Sequence, residues 1–208
     1  MKIKLKILVA LAIMIGGSSL QSCKSNDEPE SETSQIYGHE YVDLGLSVKW
    51  ATCNVGASSP EQTGEYYAFG EIETKETYSS ANWAARDWKN IDISGTSNDV
   101  AHVTWGGTWR IPTNSEMREL INDCQWSWKN INGHTGYRIT GPNGNSIFLP
   151  TAGRYVNDKL EEDQVVGYYN SAQKVGALVN LIHYENQFKE FTTTNDGWCG
   201  YPVRPVSN

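Results

Sequence analysis

Trp109-Arg110-Ile111-Pro112-Thr113-Asn114-Ser115-Glu116-Met117-Arg118-Glu119-Leu120-Ile121-Asn122-Asp123-Cys124 is the stretch from which the fold is read. Thr113 and Glu116 have the T-x-x-E spacing of a capping box, the threonine oxygen serving one free amide and the glutamate the other. Met117, Leu120, Ile121 and Cys124 then recur at i, i+3, i+4 and i+7, one face of a helix. Cys124 falls on the buried side, which suits a core or disulfide cysteine better than an exposed nucleophile.

Strand signals surround this helix. Upstream, residues 40–51 alternate well enough for two short strands about a glycine turn, and Glu65-Tyr66-Tyr67-Ala68-Phe69-Gly70 reads as a brief aromatic strand. Residues 71–104 lack periodicity and form a long polar excursion, the kind of segment that carries function or lines an edge. Downstream, two strand-forming runs at 136–141 and 146–150 flank Pro142-Asn143-Gly144-Asn145 and predict a hairpin. Further strands are expected at 165–171, 175–184, 187–193 and 201–206. The last should be irregular or at an edge, because Pro202 and Pro205 bracket it. The fold class is α+β, loop-rich, with one or two helices among short, twisted, mostly antiparallel strands.

The N-terminus fixes the compartment. MKIKLKILVALAIMIGGSSLQSC, residues 1–23, has Lys2, Lys4 and Lys6 before an apolar run at 7–15 that is too short to span a bilayer. Leu20-Gln21-Ser22-Cys23 resembles the lipobox of bacterial lipoproteins, which makes 1–22 a signal peptide and Cys23 the lipidated residue. The alternative is an ordinary signal peptide with an incidental cysteine. Each buried acyl CH₂ adds about 0.8 kcal/mol, so a multiply acylated Cys23 would hold the chain on a membrane. Residues 24–35 contain no hydrophobic side chain and, with Cys23, read as a lipidated, disordered tether. Their acidic cluster also resembles the surface-export signal of Bacteroidetes lipoproteins, the other reading being a plain spacer. One domain then fills 36–208, at the outer membrane, lipid-anchored and surface-exposed.

Without residues 1–22 the chain carries 14 basic and 24 acidic side chains, a net charge of −10. That balance argues against nucleic acid, whose binding needs Lys and Arg on the phosphates. Cys53, Cys124 and Cys199 in an oxidising envelope suggest one disulfide and one leftover thiol. Cys53–Cys124 is the preferred pair, although spacing does not fix connectivity. No CxxC is present, which speaks against redox chemistry and a cysteine-based zinc site.

Four segments in order, EYVDLGLSVKWATCNVGA (40–57), GGTWRIPTNSEMRELI (106–121), GYRITGPNGNSIFLPTAG (136–153) and GYPVRPV (200–206), resemble the Fibrobacter-type major paralogous domain of Bacteroidetes surface lipoproteins. The resemblance runs from about 39 to 206. It implies a C-type-lectin-like or formylglycine-generating-enzyme-like fold, and a binding role more than a catalytic one. Where many members carry G-x-Y-W-S-S, this chain has Gly167-Tyr168-Tyr169-Asn170-Ser171, so a ligand role for that tryptophan does not carry over.

Catalytic patterns are missing from the sequence. His39, His102, His134 and His183 show no H-x-x-x-H or H-E-x-x-H spacing, no G-x-S-x-G occurs, and Glu161-Glu162-Asp163 reads as a solvated charge run. Asn195-Asp196-Gly197-Trp198 has oxygen ligands of the kind a lectin calcium site uses, but supplies two or three of the about six to eight that calcium needs. A turn is its other reading. Trp50, Trp105, Trp109 and Trp126 are expected in the core, and Arg110 and Arg204 in structural pairs. Trp83 and Trp88 lie in SSANWAARDWKN (79–90), where they either stack on a sugar or partner loop or pack the excursion onto the core.

These observations lead to a non-enzymatic binding or adhesion module for an extracellular glycan or protein. Trp83, Trp88, Asn195, Asp196 and Trp198 are its candidate ligand residues. No metal set is assigned, and calcium is the only cofactor considered. The rival is a structural tip or accessory subunit of a surface appendage. An envelope hydrolase with a spatial carboxylate pair is more remote.

Overall fold

The computed structural model describes residues 34–208. The signal peptide, Cys23 and most of the expected tether lie outside the described residues. Among the described residues, four antiparallel sheets and two α-helices make an α+β arrangement. The first sheet joins β1 (Ser34–Ile36), β2 (His39–Val42), β3 (Lys49–Ala51) and, from the other end of the chain, β13 (Val206–Ser207), in that order. The second has the order β12-β11-β10-β4, from β4 (Ile91–Asp92), β10 (Gly167–Val175), β11 (Leu178–Glu185) and β12 (Phe188–Thr194). The third is the meander β5 (Gln125–Ile131), β6 (His134–Thr140) and β7 (Ser146–Pro150). A ribbon pairs β8 (Arg154–Val156) with β9 (Lys159–Glu161). The helices are α1 (Val100–Trp105) and α2 (Asn114–Asp123).

Helix α2 forms as its sequence requires. The Glu116 carboxylate accepts from the Thr113 amide at 2.8 Å, and Thr113 Oγ1 accepts from the Glu116 amide at 3.4 Å. Arg110 clamps the same carboxylate with two bonds of 2.8 and 2.7 Å. Met117, Leu120 and Cys124 face a core shared with Tyr137, Ile139 and Leu149 of the meander and Tyr169, Ile182 and Tyr184 of the second sheet. The opposite face of that sheet, through Ala172 and Val179, packs under Phe69, Trp83 and Ile93 of the excursion. The second sheet therefore lies between helix α2 and the excursion.

Several expectations change. The 136–150 hairpin forms, with β6 and β7 in register from Thr140↔Ser146 to Gly136↔Pro150. The tighter hairpin is the preceding one, between β5 and β6, where Asn132 (φ 52°) and Gly133 (φ 90°) form a two-residue turn. Positive φ at both positions is what an Asn-Gly hairpin turn supplies, and β5 was absent from the sequence expectation. Residues 65–70 are buried from 66 onward but are not a strand: Tyr67 makes one isolated bridge to Tyr201. The tail at 201–206 is likewise irregular, with β13 confined to Val206–Ser207. Pairing starts at Ser34, two residues before the expected domain edge.

The expected Cys53–Cys124 disulfide is not formed; Cys53, Cys124 and Cys199 are all free thiols. Cys124 caps the C-terminus of α2 inside its core, whereas Cys53 follows β3 and lines a surface cleft with His39 and Trp105. Arg204 is structural as expected: fully buried, it donates to Asn54 Oδ1 at 2.7 Å and to the Thr52 carbonyl at 2.7 Å.

Candidate functional site

The excursion lacks a periodic apolar face, so its backbone must find partners elsewhere. Three buried polar groups supply them. Asp99, the N-cap of α1, accepts from the amides of Gly95 and Ile111 at 2.8 Å each and of His102 at 3.1 Å. Burial raises its pKa, and those amide bonds offset only part of the rise. Lys174 on β10 is buried and donates to the carbonyls of Ala85 (2.7 Å) and Arg86 (2.9 Å), with its ammonium 4.3 Å from the centre of the Trp83 ring. Burial lowers the Lys174 pKa. Trp83 Nε1 donates to the Phe69 carbonyl at 2.9 Å.

Trp83 is consequently no stacking surface. Lys174 lies over its ring, and Gly197 approaches so closely that a Cβ there would come within 2.6 Å of it. Of the two readings left open for this residue, packing onto the core is what the structure adopts. Trp88, five residues on, differs. It is half-buried, its ring edge resting on Gly70, where a Cβ would come within 2.7 Å (Gly70 φ 78°). It also lines a cavity of about 350 Å³ with Lys89, Ile91, Asp92, Thr96 and Asn98.

A second cavity of about 390 Å³ shares Ile91 and Asp92 with the first and continues past Asn90, Asn114, Gln173 and Val175. Asp92 sits where the two meet. Its Oδ1 accepts from the Ser94 amide at 2.9 Å and its Oδ2 from Gln173 Nε2 at 2.8 Å. Gln173 is fixed in turn, its Oε1 accepting from the Asn114 amide at 2.8 Å. Ile91 and Val175 remain 38% and 58% exposed beside these groups. The first cavity thus offers an aromatic side chain, exposed Ile91 and the Asp92 carboxylate, and the second, adjoining it at edge strand β4, presents Asn114, Gln173 and exposed Val175.

The residues at 195–198 lie elsewhere. Asn195 is exposed, while Trp198 is partly buried against Leu181, Cys199 and Tyr201. The Asp196 carboxylate accepts from Thr194 Oγ1 at 3.1 Å and lies 3.8 Å from the Arg154 guanidinium. Its charged neighbour is therefore a cation, which opposes a metal ion at that oxygen. Among the described residues no three His, Cys, Asp or Glu side chains gather as a metal-ligand set. Burial pushes the thiols of Cys124 and Cys199 up to about 11, so both are poor nucleophiles. Burial also lowers the pKa of His39, which stacks on Trp105 at 3.8 Å.

Asp92, Asn114 and Gln173 went unread in the sequence. Asp92 had a faint signal, since Asp-x-Ser-Gly at 92–95 is turn chemistry. Asn114 and Gln173 had none, because they reach the second cavity only through the pairing of β10 with β4, Gln173 opposite Asp92.

No family model, curated protein or solved structure matches the chain. Among the described residues no helix is long and apolar enough to cross a membrane.

Proposed function

We propose that this protein is a lipoprotein anchored through Cys23 at the outer membrane, with a C-type-lectin-like domain that binds an extracellular glycan. The resemblance to the Fibrobacter-type major paralogous domain points the same way. The observation that carries the reading is the cavity at Trp88. A half-buried indole can stack on the C–H face of a pyranose, while Asp92, Thr96 and Asn98 of the same cavity offer polar partners for its hydroxyls. The proposal is of a binder and not an enzyme. Calcium is not needed for this chemistry.

The test is glycan-array binding by the purified protein, in calcium and again in EDTA, with Trp88→Ala alongside. Binding that survives EDTA and is lost in Trp88→Ala supports the reading. Binding abolished by EDTA and indifferent to Trp88 would move the site to Asn195 and Asp196. The second reading, an appendage subunit, draws on β12: among the described residues this seven-residue strand pairs only with β11, leaving one edge open. A blank array with concentration-dependent self-association would favour it.

A further inference from the structure

Gly70 sets two hydrogen-bonding groups that the protein itself leaves unused. Its backbone has φ 78°, and a Cβ there would come within 2.7 Å of Trp88 Cζ3 and 3.3 Å of Trp88 Cη2. The indole therefore rests on Gly70 by the edge of its six-membered ring, and Nε1, in the five-membered ring, lies across from that seat. The indole N–H groups of Trp83, Trp109 and Trp126 donate to carbonyls at 2.9, 2.8 and 3.0 Å. Among the described residues nothing accepts from Trp88 Nε1.

The carbonyl of the same glycine holds the second group. Asn98 Nδ2 donates to it at 3.1 Å, which turns Oδ1, the other arm of the carboxamide, off Gly70. Among the described residues nothing donates to that oxygen. Thr96 fixes the backbone beneath it, its hydroxyl accepting from the Asn98 amide at 3.2 Å and donating to the Ile93 carbonyl at 2.8 Å. One residue thus orients a donor and an acceptor on two side chains that line a single cavity of about 350 Å³. Ile91 lines it too, 38% exposed, and its pairing with Lys174 puts it on the face of the sheet that carries the excursion.

We propose that this cavity holds the acetamido group of an N-acetylated sugar. The inference rests on the glycan reading above and narrows it to a class of ligand. An acetamido group carries one acceptor, one donor and one methyl. Its carbonyl oxygen takes the Trp88 N–H, its own N–H donates to Asn98 Oδ1, and its methyl packs on Ile91. A hydroxyl at the same position of the parent hexose offers one oxygen in place of two separated groups and has nothing apolar to set against Ile91. Because Gly70 already orients both protein groups, little ordering cost falls on the complex.

The experiment titrates the purified full chain by NMR with N-acetylglucosamine, N-acetylgalactosamine and N-acetylmannosamine, each against its parent hexose. At least one N-acetylated sugar should bind about tenfold or more tightly than its parent, because a site built around a donor and an acceptor rejects an analogue that leaves one of them unpaired. Trp88→Phe keeps a ring for stacking and removes the N–H; with a wild-type melting temperature, it should cut that preference to roughly threefold or less, the loss of about one hydrogen bond. Asn98→Ala should reduce the same ratio. The ratio separates this role from a structural one, since a distorted cavity would weaken both sugars of a pair alike. Equal affinity for parent and N-acetylated sugar, or a preference untouched in Trp88→Phe, would overturn the inference and leave a glycan module standing. No binding of any of these sugars by the folded protein would also overturn it, and a blank glycan array besides would overturn the reading beneath it.

Discussion

The excursion at 71–99 and the helix-and-hairpin unit at 109–150 flank the second sheet; both pack apolar groups on it, and the excursion depends on buried hydrogen bonds as well. Helix α2 and the β5–β7 meander hold together through interdigitated apolar groups: Met117 and Leu120 against Tyr137, Ile139 and Leu149. Their local geometry is settled by periodicity, a capping box and an Asn-Gly turn. The excursion also packs apolar side chains, Trp83, Ala85 and Ile93, on Ala172 and Val179 of the sheet, but without periodicity along its sequence. Directional bonds add to this: Lys174 of the sheet donates to two of its carbonyls, the amides of Gly95, His102 and Ile111 donate to Asp99, and the Trp83 indole donates to Phe69. Apolar packing fixes a whole face, whereas a few buried hydrogen bonds fix only the places they touch. The chain between those places keeps a free surface, and that is where Trp88 and its cavity lie.

The sharpest way to break this contrast is Asp99→Ala. It leaves the buried Ile111 amide and the part-buried amides of Gly95 and His102 without their acceptor; at about 1–3 kcal/mol for a buried unsatisfied group, and less for the two that water can reach, a loss of roughly 3 kcal/mol is expected in chemical denaturation. Limited proteolysis should show cleavage inside 71–99 before the rest of the chain is attacked. A loss below about 1 kcal/mol would mean that apolar contacts hold the excursion after all. Met117→Ala is the matching change on the other side. It removes a fully buried side chain from the α2 core and should cost about 3 kcal/mol. Here the whole chain should become less resistant together, without selective cutting of the excursion. Selective opening of 71–99 in this variant would erase the distinction.

The same contrast governs what could be read from the sequence. The capping box at Thr113 and Glu116, the buried face of α2 and the β6–β7 hairpin were legible because their causes are local. The three strands after 165 were legible to within a few residues. Strand β5 was not legible although its Asn132-Gly133 turn is present, because Gln125, Ser127, Lys129 and Asn130 dilute its strand propensity. The excursion could be recognised only by its lack of pattern. Its anchors are distant in sequence: Lys174 lies 89 residues from Ala85, and nothing near either one announces the contact. Trp83 and Trp88 share one local setting and diverge because Lys174 and Gly197 cover the first ring and not the second. The cysteines were misread for a similar reason, since redox compartment suggests pairing and only the fold sets Cys53 apart from Cys124.

The smallest effect separates the two regions by pH. Glu116 and Asp99 are both buried carboxyls, and burial by itself raises the pKa of each. For Glu116 the two Arg110 bonds and the Thr113 amide outweigh burial, and its pKa falls below the ordinary value near 4.5. A lowered folded pKa means that Glu116 contributes stability above its unfolded value and loses it as pH drops through the folded one. For Asp99 burial outweighs the amide bonds, and its pKa rises. Its titration therefore favours the folded state in acid, an advantage that fades as pH climbs from the unfolded to the folded value. Glu116→Gln breaks the bidentate pair and should cost about 1.5 kcal/mol at neutral pH, the scale of a charge-assisted hydrogen bond. The gap from wild type should close as the buffer is taken below the folded pKa of Glu116, because the protonated glutamate no longer pairs with Arg110. What remains of the acid response in Glu116→Gln should then run the other way, flat or rising toward pH 4, as Asp99 takes up its proton. A gap that stays constant from neutral pH into acid would show that the Arg110–Glu116 clamp contributes packing and no charge.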